Sequence, residues 1–337
     1  MKLEELGERG LIARIVRSFQ VDPALVPEGA GEDDCAVIDL ASVKNGYRYL
    51  LVTTDTLQES THFPRGMTPF QKGWSAVAVN LSDIAAMGGS PFAFLIALGI
   101  PAETEASFID DLVAGIEACA STFQTAVVGG DITRSTELIL TGTCLGLTSN
   151  PLKRSGARVG DVVCVTGSLG NAALALKLLN DELHVSEQLE AVAKAALFQP
   201  QPRIREGFTI AHSGVATSMI DISDGLALSI AEIAKGSSVG VELFEETIPV
   251  LSEELRYDEQ LKLSPQERTE LALYYGGDYE LLFTLDRRVL EDAAMMSKLK
   301  QEVHMSVIGT IVPSEEGISL RTGEEKERLE LRGYQHF

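Results

Sequence analysis

The spacing of apolar residues along this chain switches repeatedly between the period of two expected of a strand and the period of about 3.6 expected of a helix. LLVTT (50–54) reads as a strand ending at Asp55, and PFQKGWSAVAVNLSDIAAMG (69–88) as a helix. FAFLIALG (92–99) predicts a strand, 103–123 a helix, and ELILTGTCLGL (137–147) a strand with polar and apolar residues partly alternating. At TSNPLKRSGARVGD (148–161) the composition turns to Pro, Gly, Ser and basic side chains, the mark of a connection. Beyond it come a strand at 162–167, helices near 170–180 and 203–212, a strand at 216–223, a helix from Gly225 and a strand at 279–284. The first residues, MKLEELGERGLIARIVRSF, predict an amphipathic helix. Strands and helices mix without a strict βαβ period, so an α+β or irregular α/β fold is expected rather than a doubly wound sheet. A chain of 337 residues exceeds one ordinary core. Two domains are therefore expected, 1–149 and 150–337, divided at the connection.

Charge narrows the partners. Against 28 basic side chains stand 49 acidic ones, a formal net charge of -21, which disfavours binding to nucleic acid or an anionic membrane. Acidic substrates are repelled too, unless metal ions intervene. There is no apolar signal-peptide core and no run of about 18 uncharged apolar residues, so a cytoplasmic location is expected. Cys35, Cys119, Cys144 and Cys164 are far apart in apolar surroundings, without metal-ligand spacing, and read as buried reduced thiols.

The acids carry the candidate chemistry. Asp55 sits among Thr53, Thr54 and Thr56, with no lysine or arginine between Arg48 and Arg65. Asp33 and Asp34 precede the apolar run CAVIDL, Asp131 ends AVVGGD, and Asp221 and Asp224 stand in MIDISDGL at a strand-to-helix junction. Asp83 is the sharpest case. On a helical wheel Trp74, Val77, Leu81 and Ile84 form one stripe, while Asp83 falls beside Asn80 among Ala76, Val79, Ala86 and Met87 on the other side. A carboxylate on a helix apolar nearly all round must be protonated or meet a cation. Taken singly, each acid also fits a helix cap or a turn. Oxygen ligands without His or Cys point to Mg²⁺ ahead of Mn²⁺ or Ca²⁺. Metal without a basic cradle suggests a phosphate substrate. No GxxxxGK[ST] loop is present, but TGSLGNAALAL (166–176) offers either a phosphate-receiving helix N-terminus or a plain tight turn. Arg154 reads as a phosphate contact or an exposed linker residue. No Ser/His/Asp set or HExxH occurs, which counts against nucleophile- or zinc-based hydrolysis.

In order and spacing, GEDDCAV, VTTDTL, AVNLSDIAAMGGSP, GGDITR, RSGARVGD, VTGSLG, MIDISDGL, GGDYELLFT and GYQHF resemble the thiamine-monophosphate kinases. These belong to the superfamily of aminoimidazole ribonucleotide synthetase, selenophosphate synthetase and the hydrogenase maturation dehydratase. The resemblance implies two α/β domains of the aminoimidazole-ribonucleotide-synthetase type, with the first sheet pairing across a homodimer. It implies Mg²⁺-dependent in-line transfer from ATP to thiamine monophosphate, giving thiamine diphosphate. Metal ligands carry over onto Asp34, Thr53, Thr54, Asp55, Asp83, Asp131, Asp221 and Asp224, with Asp55, Asp131 and Asp221 acting in catalysis through the metal. ATP contacts fall on Gly130, Asp131, Arg154 and Ser223, and substrate contacts on His62 and Tyr334. The family's usual GGEDYE reads GGDYE here, so Gly277 stands where its substrate-binding glutamate is expected. A related synthetase with another acceptor, and a non-catalytic nucleotide or metal binder, remain the alternatives at this point.

Overall fold

The structure, a computed structural model, describes Pro27 and residues 33–34, 36–39, 48–257 and 261–336. The helix expected over residues 1–19 and Cys35 lie outside these. A first sheet contains β1 (Ala36–Asp39), β2 (Tyr49–Gln58), β3 (Ser90–Ile100), β4 (Ala126–Arg134) and β5 (Ile139–Thr148), in the order β1-β2-β5-β3-β4. A second contains β6 (Val162–Thr166), β7 (Ala216–Ile222), β8 (Gly240–Phe244), β9 (Glu280–Leu285), β10 (Met305–Val312), β11 (Ile318–Thr322) and β12 (Glu325–Arg328), in the order β12-β11-β8-β10-β6-β9-β7. Most neighbours are antiparallel, with β3–β4 and β8–β11 parallel. This is the mixed α/β arrangement expected from the unperiodic order of elements. Residues 149–161 join the sheets without helix or strand.

Strand β2 does not end at Asp55. All ten of its residues pair with β5, from Tyr49 opposite Thr148 to Gln58 opposite Ile139. The threonine-rich segment continues the ladder because Thr141 and Leu140 on β5 lie opposite Thr56 and Leu57.

Helix α1 (Pro69–Ala86) explains its own composition. Thr68 and Gln71 close a reciprocal capping box with Pro69 in the first turn, which fixes where the helix starts. One side packs on the first sheet and on α2 (Ala106–Thr122) at a close crossing. A Cβ on Gly73 would lie 2.0 Å from the Leu112 carbonyl oxygen, and one on Gly115 would lie 1.9 Å from that of Phe70. The other side meets the second half of the chain, where Ala85 and Ala86 share a core with Ile210, Ala211 and Met219. Trp74 Nε1 donates to the Pro200 carbonyl (2.8 Å) and Ser75 Oγ to that of Phe198 (3.1 Å). A helix held between two layers needs apolar residues all round, so Asp83 is enclosed among them and only half-buried where a cleft opens.

The remaining long helices are α3 (Asn171–Leu179), α4 (Glu187–Phe198), α5 (Ile204–His212), α6 (Leu226–Ser237), α7 (Pro265–Tyr274) and α8 (Ala293–Glu302). The sequence assigns no element at β1, α4, α7, α8, β8, β10, β11 or β12. Helix α7 did carry a signal, since Ser264 and Glu267 form a capping box around Pro265. Cys119, Cys144 and Cys164 are buried free thiols, as expected.

Candidate active site

Three segments distant in sequence deliver carboxylates to one point. Asp34 precedes β1, Asp83 lies in the last turn of α1, and Asp221 lies near the end of β7. One oxygen from each falls within 4.8 Å of the others. Thr53 Oγ1 donates to Asp83 Oδ2, and Ser82 Oγ to Asp221 Oδ2 at 2.7 Å. Asn80 Oδ1 accepts the backbone N–H of Asp55 (3.1 Å), tying β2 to α1. Gly142, opposite Asp55 on β5, leaves the room this requires, because a Cβ there would lie 2.4 Å from Asn80 Nδ2.

The cluster is short of positive charge. Burial, then Asp55, Asp221 and Asp34, raises Asp83 well above the ordinary carboxylate range. Asp34 is likewise raised, first by burial, although Arg154 opposes the shift. Burial and Asp224 push Asp55 up to about 6, and burial is the largest cause that takes Asp221 to about 7. Two ionised carboxylates about 4 Å apart repel by roughly 4 kcal/mol at an effective dielectric of about 20. Arg154 answers part of this. Its Nη2 donates to Asp34 Oδ1 (2.5 Å), its Nε to Asp33 Oδ1 (3.3 Å) and its Nη1 to Glu232 Oε2 (3.3 Å). Asp34 Oδ2 is buried with no hydrogen-bond partner among the described residues. Three converging carboxylates, an orphaned buried oxygen and an all-oxygen donor set fit a hard divalent cation such as Mg²⁺.

A cleft of about 560 Å³ opens from this cluster. Asp55, Asp83, Asp221, Ser223 and Asp224 line it, together with His62, Tyr334, His336, Gly277 and Tyr279. The carboxy-terminal segment returns across the cleft: the Tyr334 N–H donates to the Asp224 carbonyl (3.1 Å), and Gly333 permits the approach, since a Cβ there would lie 2.3 Å from the same oxygen. The His336 ring lies 4.9 Å from that of His62 and 5.1 Å from that of Tyr334. One cleft thus joins a carboxylate cluster to an aromatic set.

Several expected residues stand elsewhere. Strand alternation turns Thr53 and Asp55 toward α1 and the Thr54 side chain to the opposite face, where its hydroxyl donates to the Gly142 carbonyl (2.6 Å). Asp131 is opposite Ala97, which is opposite Thr141 and then Thr56. That is three strands away, roughly 14 Å at the usual strand spacing. Gly130 and Asp131 are exposed on the edge strand β4 and do not join the cluster within one chain. Arg154 is no exposed linker residue; it is ion-paired with Asp33, Asp34 and Glu232. At the N-terminus of α3 the Asp278 carboxylate stands where a phosphate is one expectation, accepting from the N–H groups of Gly170 (2.7 Å) and Ala172 (3.3 Å). Gly277 has φ +95°, where a glutamate would be strained, and a Cβ there would lie 3.2 Å from that of Ala172. Ser82, Tyr279 and His336 were missed. His336 stood in the quoted GYQHF and Tyr279 in GGDYE, so their motifs were visible while their geometry was not.

Two family models match the chain: AIR synthase related protein, N-terminal domain, over residues 32–148, and its C-terminal domain over 158–320. Over 262 residues the chain is 39% identical to the thiamine-monophosphate kinase of Methanospirillum hungatei, covering 77% of this chain and 82% of that one. With that of Aquifex aeolicus it is 33% identical over 337 residues, the whole of both chains. The chain belongs to the thiamine-monophosphate kinase family. Its fold agrees with that of a solved relative described as AaThiL complexed with AMPPCP and TMP, at a TM-score of 0.84 and 32% identity, covering 100% of this chain and 99% of that one. The hydrogenase maturation protein HypE of E. coli shares the fold at a TM-score of 0.67 and 19% identity, over 95% of this chain and 96% of that one. Among the described residues no helix is long and apolar enough to cross a membrane.

Proposed function

We propose that this chain transfers the γ-phosphoryl group of ATP directly to the phosphate of thiamine monophosphate, giving thiamine diphosphate and ADP. The observation that carries the reading is the cleft that joins Asp55, Asp83 and Asp221, with Asp34 clustered behind them, to the His62, Tyr334 and His336 rings, in a chain of this family. The nucleophile is a phosphate oxygen, already ionised at neutral pH, so no general base is required. That accounts for a cleft with many acids and no Ser/His/Asp set. The difficulty is to bring two polyanions together, and positioning with charge neutralisation is most of the catalysis for a loose phosphoryl-transfer transition state.

Asp34, Asp83 and Asp221 would hold Mg²⁺, with Asp55, Asp224 and the Thr53 hydroxyl beside them. When bound, it supplies the positive charge between carboxylates and phosphates. Ser223 lines the ATP end of the cleft, and His62 and Tyr334 orient the heteroaromatic acceptor. Arg154 acts by fixing Asp34 through its ion pairs. Residues 1–149 and 150–337 form the two domains, and the cleft lies where they meet.

A homodimer completes the reading. The first sheet exposes Phe92, Leu95, Val127, Val128 and Ile132, an apolar surface of the kind that a second copy covers. Gly130 and Asp131 lie on that edge, so their contribution to ATP binding depends on the dimer. Ile132→Asp should then shift the sedimentation of the protein to that of a monomer. The function itself is tested by quantifying ADP and thiamine diphosphate together, from purified protein with Mg-ATP and thiamine monophosphate. Stoichiometric products are expected; ADP release without thiamine diphosphate would redirect the assignment to another acceptor, with Gly277 as the first suspect.

A further inference from the structure

The loop over residues 276–280 sends neighbouring side chains to opposite sides. Asp278 turns to the N-terminus of α3, and Glu280 accepts from Arg203 Nε (2.7 Å), Arg203 Nη2 (2.5 Å) and Thr166 Oγ1 (2.6 Å). Between them Tyr279 turns the other way, into the cleft lined by Asp55, Asp83, Asp221 and Asp224. Its backbone has φ +51°, an outlier for a bulky side chain. The surroundings impose that conformation. The Tyr279 N–H donates to the Ile222 carbonyl (3.0 Å), the Gly277 N–H to that of Ser223 (2.8 Å), and the carboxylates on either side are anchored as described. Backbone strain that the surrounding contacts over-determine clusters at functional sites.

The phenol hydroxyl makes no hydrogen bond to any described residue, although its ring packs against the first core. Ionised carboxylates only accept, so a hydroxyl is one of the few donors this end of the cleft can offer an anion. We propose that Tyr279 is a substrate-binding residue, its O–H donating to a phosphate oxygen of the monoester acceptor. This rests on the kinase reading above and adds a residue to it. The strained backbone sets the direction of the donor, and the bond selects a phosphorylated acceptor over its alcohol.

The test compares wild type, Tyr279→Phe and Tyr279→Leu by calorimetric titration with thiamine monophosphate and with thiamine, in the presence of Mg²⁺ and a non-hydrolysable ATP analogue. Tyr279→Phe keeps the ring and the backbone, so its melting temperature should match wild type. Its affinity for thiamine monophosphate should fall about tenfold, as for a hydrogen bond to a charged group, while its affinity for thiamine stays unchanged. Tyr279→Leu should weaken both. Unchanged affinity of Tyr279→Phe for the monophosphate, or parallel losses for both ligands, would overturn the proposal. So would a wild type that binds the two ligands equally well. Turnover of the wild type to thiamine diphosphate is measured separately, so failure of the kinase reading is distinguishable from failure of the tyrosine's role.

Discussion

Two buried acid sites in this molecule differ in what surrounds them. Asp278 and Asp221 are both pushed up to about 7, in each case chiefly by burial. Asp278 sits over the first turn of α3, where the N–H groups of Gly170 and Ala172 point at its carboxylate. It is a structural cap whose donors are built into the backbone. Asp221 has the Ser82 hydroxyl and faces Asp34 and Asp83, so its surplus is of negative charge. Burial alone therefore does not mark a functional acid. A shortage of donors, together with like charges from separate segments, distinguishes a place for a cation from a place for a helix end.

The largest effect that sharpens this contrast is on turnover. Asp83→Asn should lower kcat by about a thousandfold or more, a loss of transition-state charge stabilisation of the order seen for preorganised electrostatic groups. Chelation of divalent metal should abolish turnover of the wild type, and Mg²⁺ should restore it. If Asp83→Asn turns over normally at saturating Mg²⁺, the cluster is not the metal site. On the other side of the comparison, Asp278→Ala should cost about 1 kcal/mol in a denaturant melt, as for loss of a helix cap, with Mg²⁺ affinity retained.

The pH dependence of the metal-free protein is a smaller effect with a definite sign. Asp55 at about 6 and Asp221 at about 7 lie above the ordinary value of 3.8, so the folded state binds more protons than the unfolded state across that interval. Their contribution to stability is fully present below about 4 and is lost as pH rises through the folded values. Metal-free protein should therefore melt lower at pH 8 than at pH 5 on their account, and Mg²⁺ should oppose the loss because it takes the deprotonated form. A metal-free melting temperature that climbs across this range, with Mg²⁺ making no difference to the slope, would contradict the account. Smallest of all is Thr54→Val. Its hydroxyl faces away from the cluster, so turnover should stay within about twofold of wild type, whereas Thr53→Val removes the donor to Asp83 and should show a larger loss.

Much of this site was legible in the sequence, for local reasons. Asp83 and Asn80 stood out because a helix that is apolar on two sides leaves no neutral place for a carboxylate. Asp221 and Asp224 stood out because a strand-to-helix junction with a glycine places side chains at the end of a strand. Other residues were misplaced because their surroundings are not local. The local pattern ends the strand at Asp55, yet β5, more than eighty residues away, carries the ladder on to Gln58. Arg154 looked like a linker residue because Asp33 and Glu232 come to it from 121 and 78 residues away.

Hydrophobic period, capping residues and the ordered motifs determined most of the elements, the mixed α/β class, and the family, because each depends on neighbours within a few turns of chain or on the order of short segments. Tertiary structure alone decided which acids share a cation site, which acid caps a helix, and that Asp131 lies three strands from Asp55. The physical reason is that a carboxylate's role is set by the donors and charges within a few ångströms, and the chain brings those together only by folding.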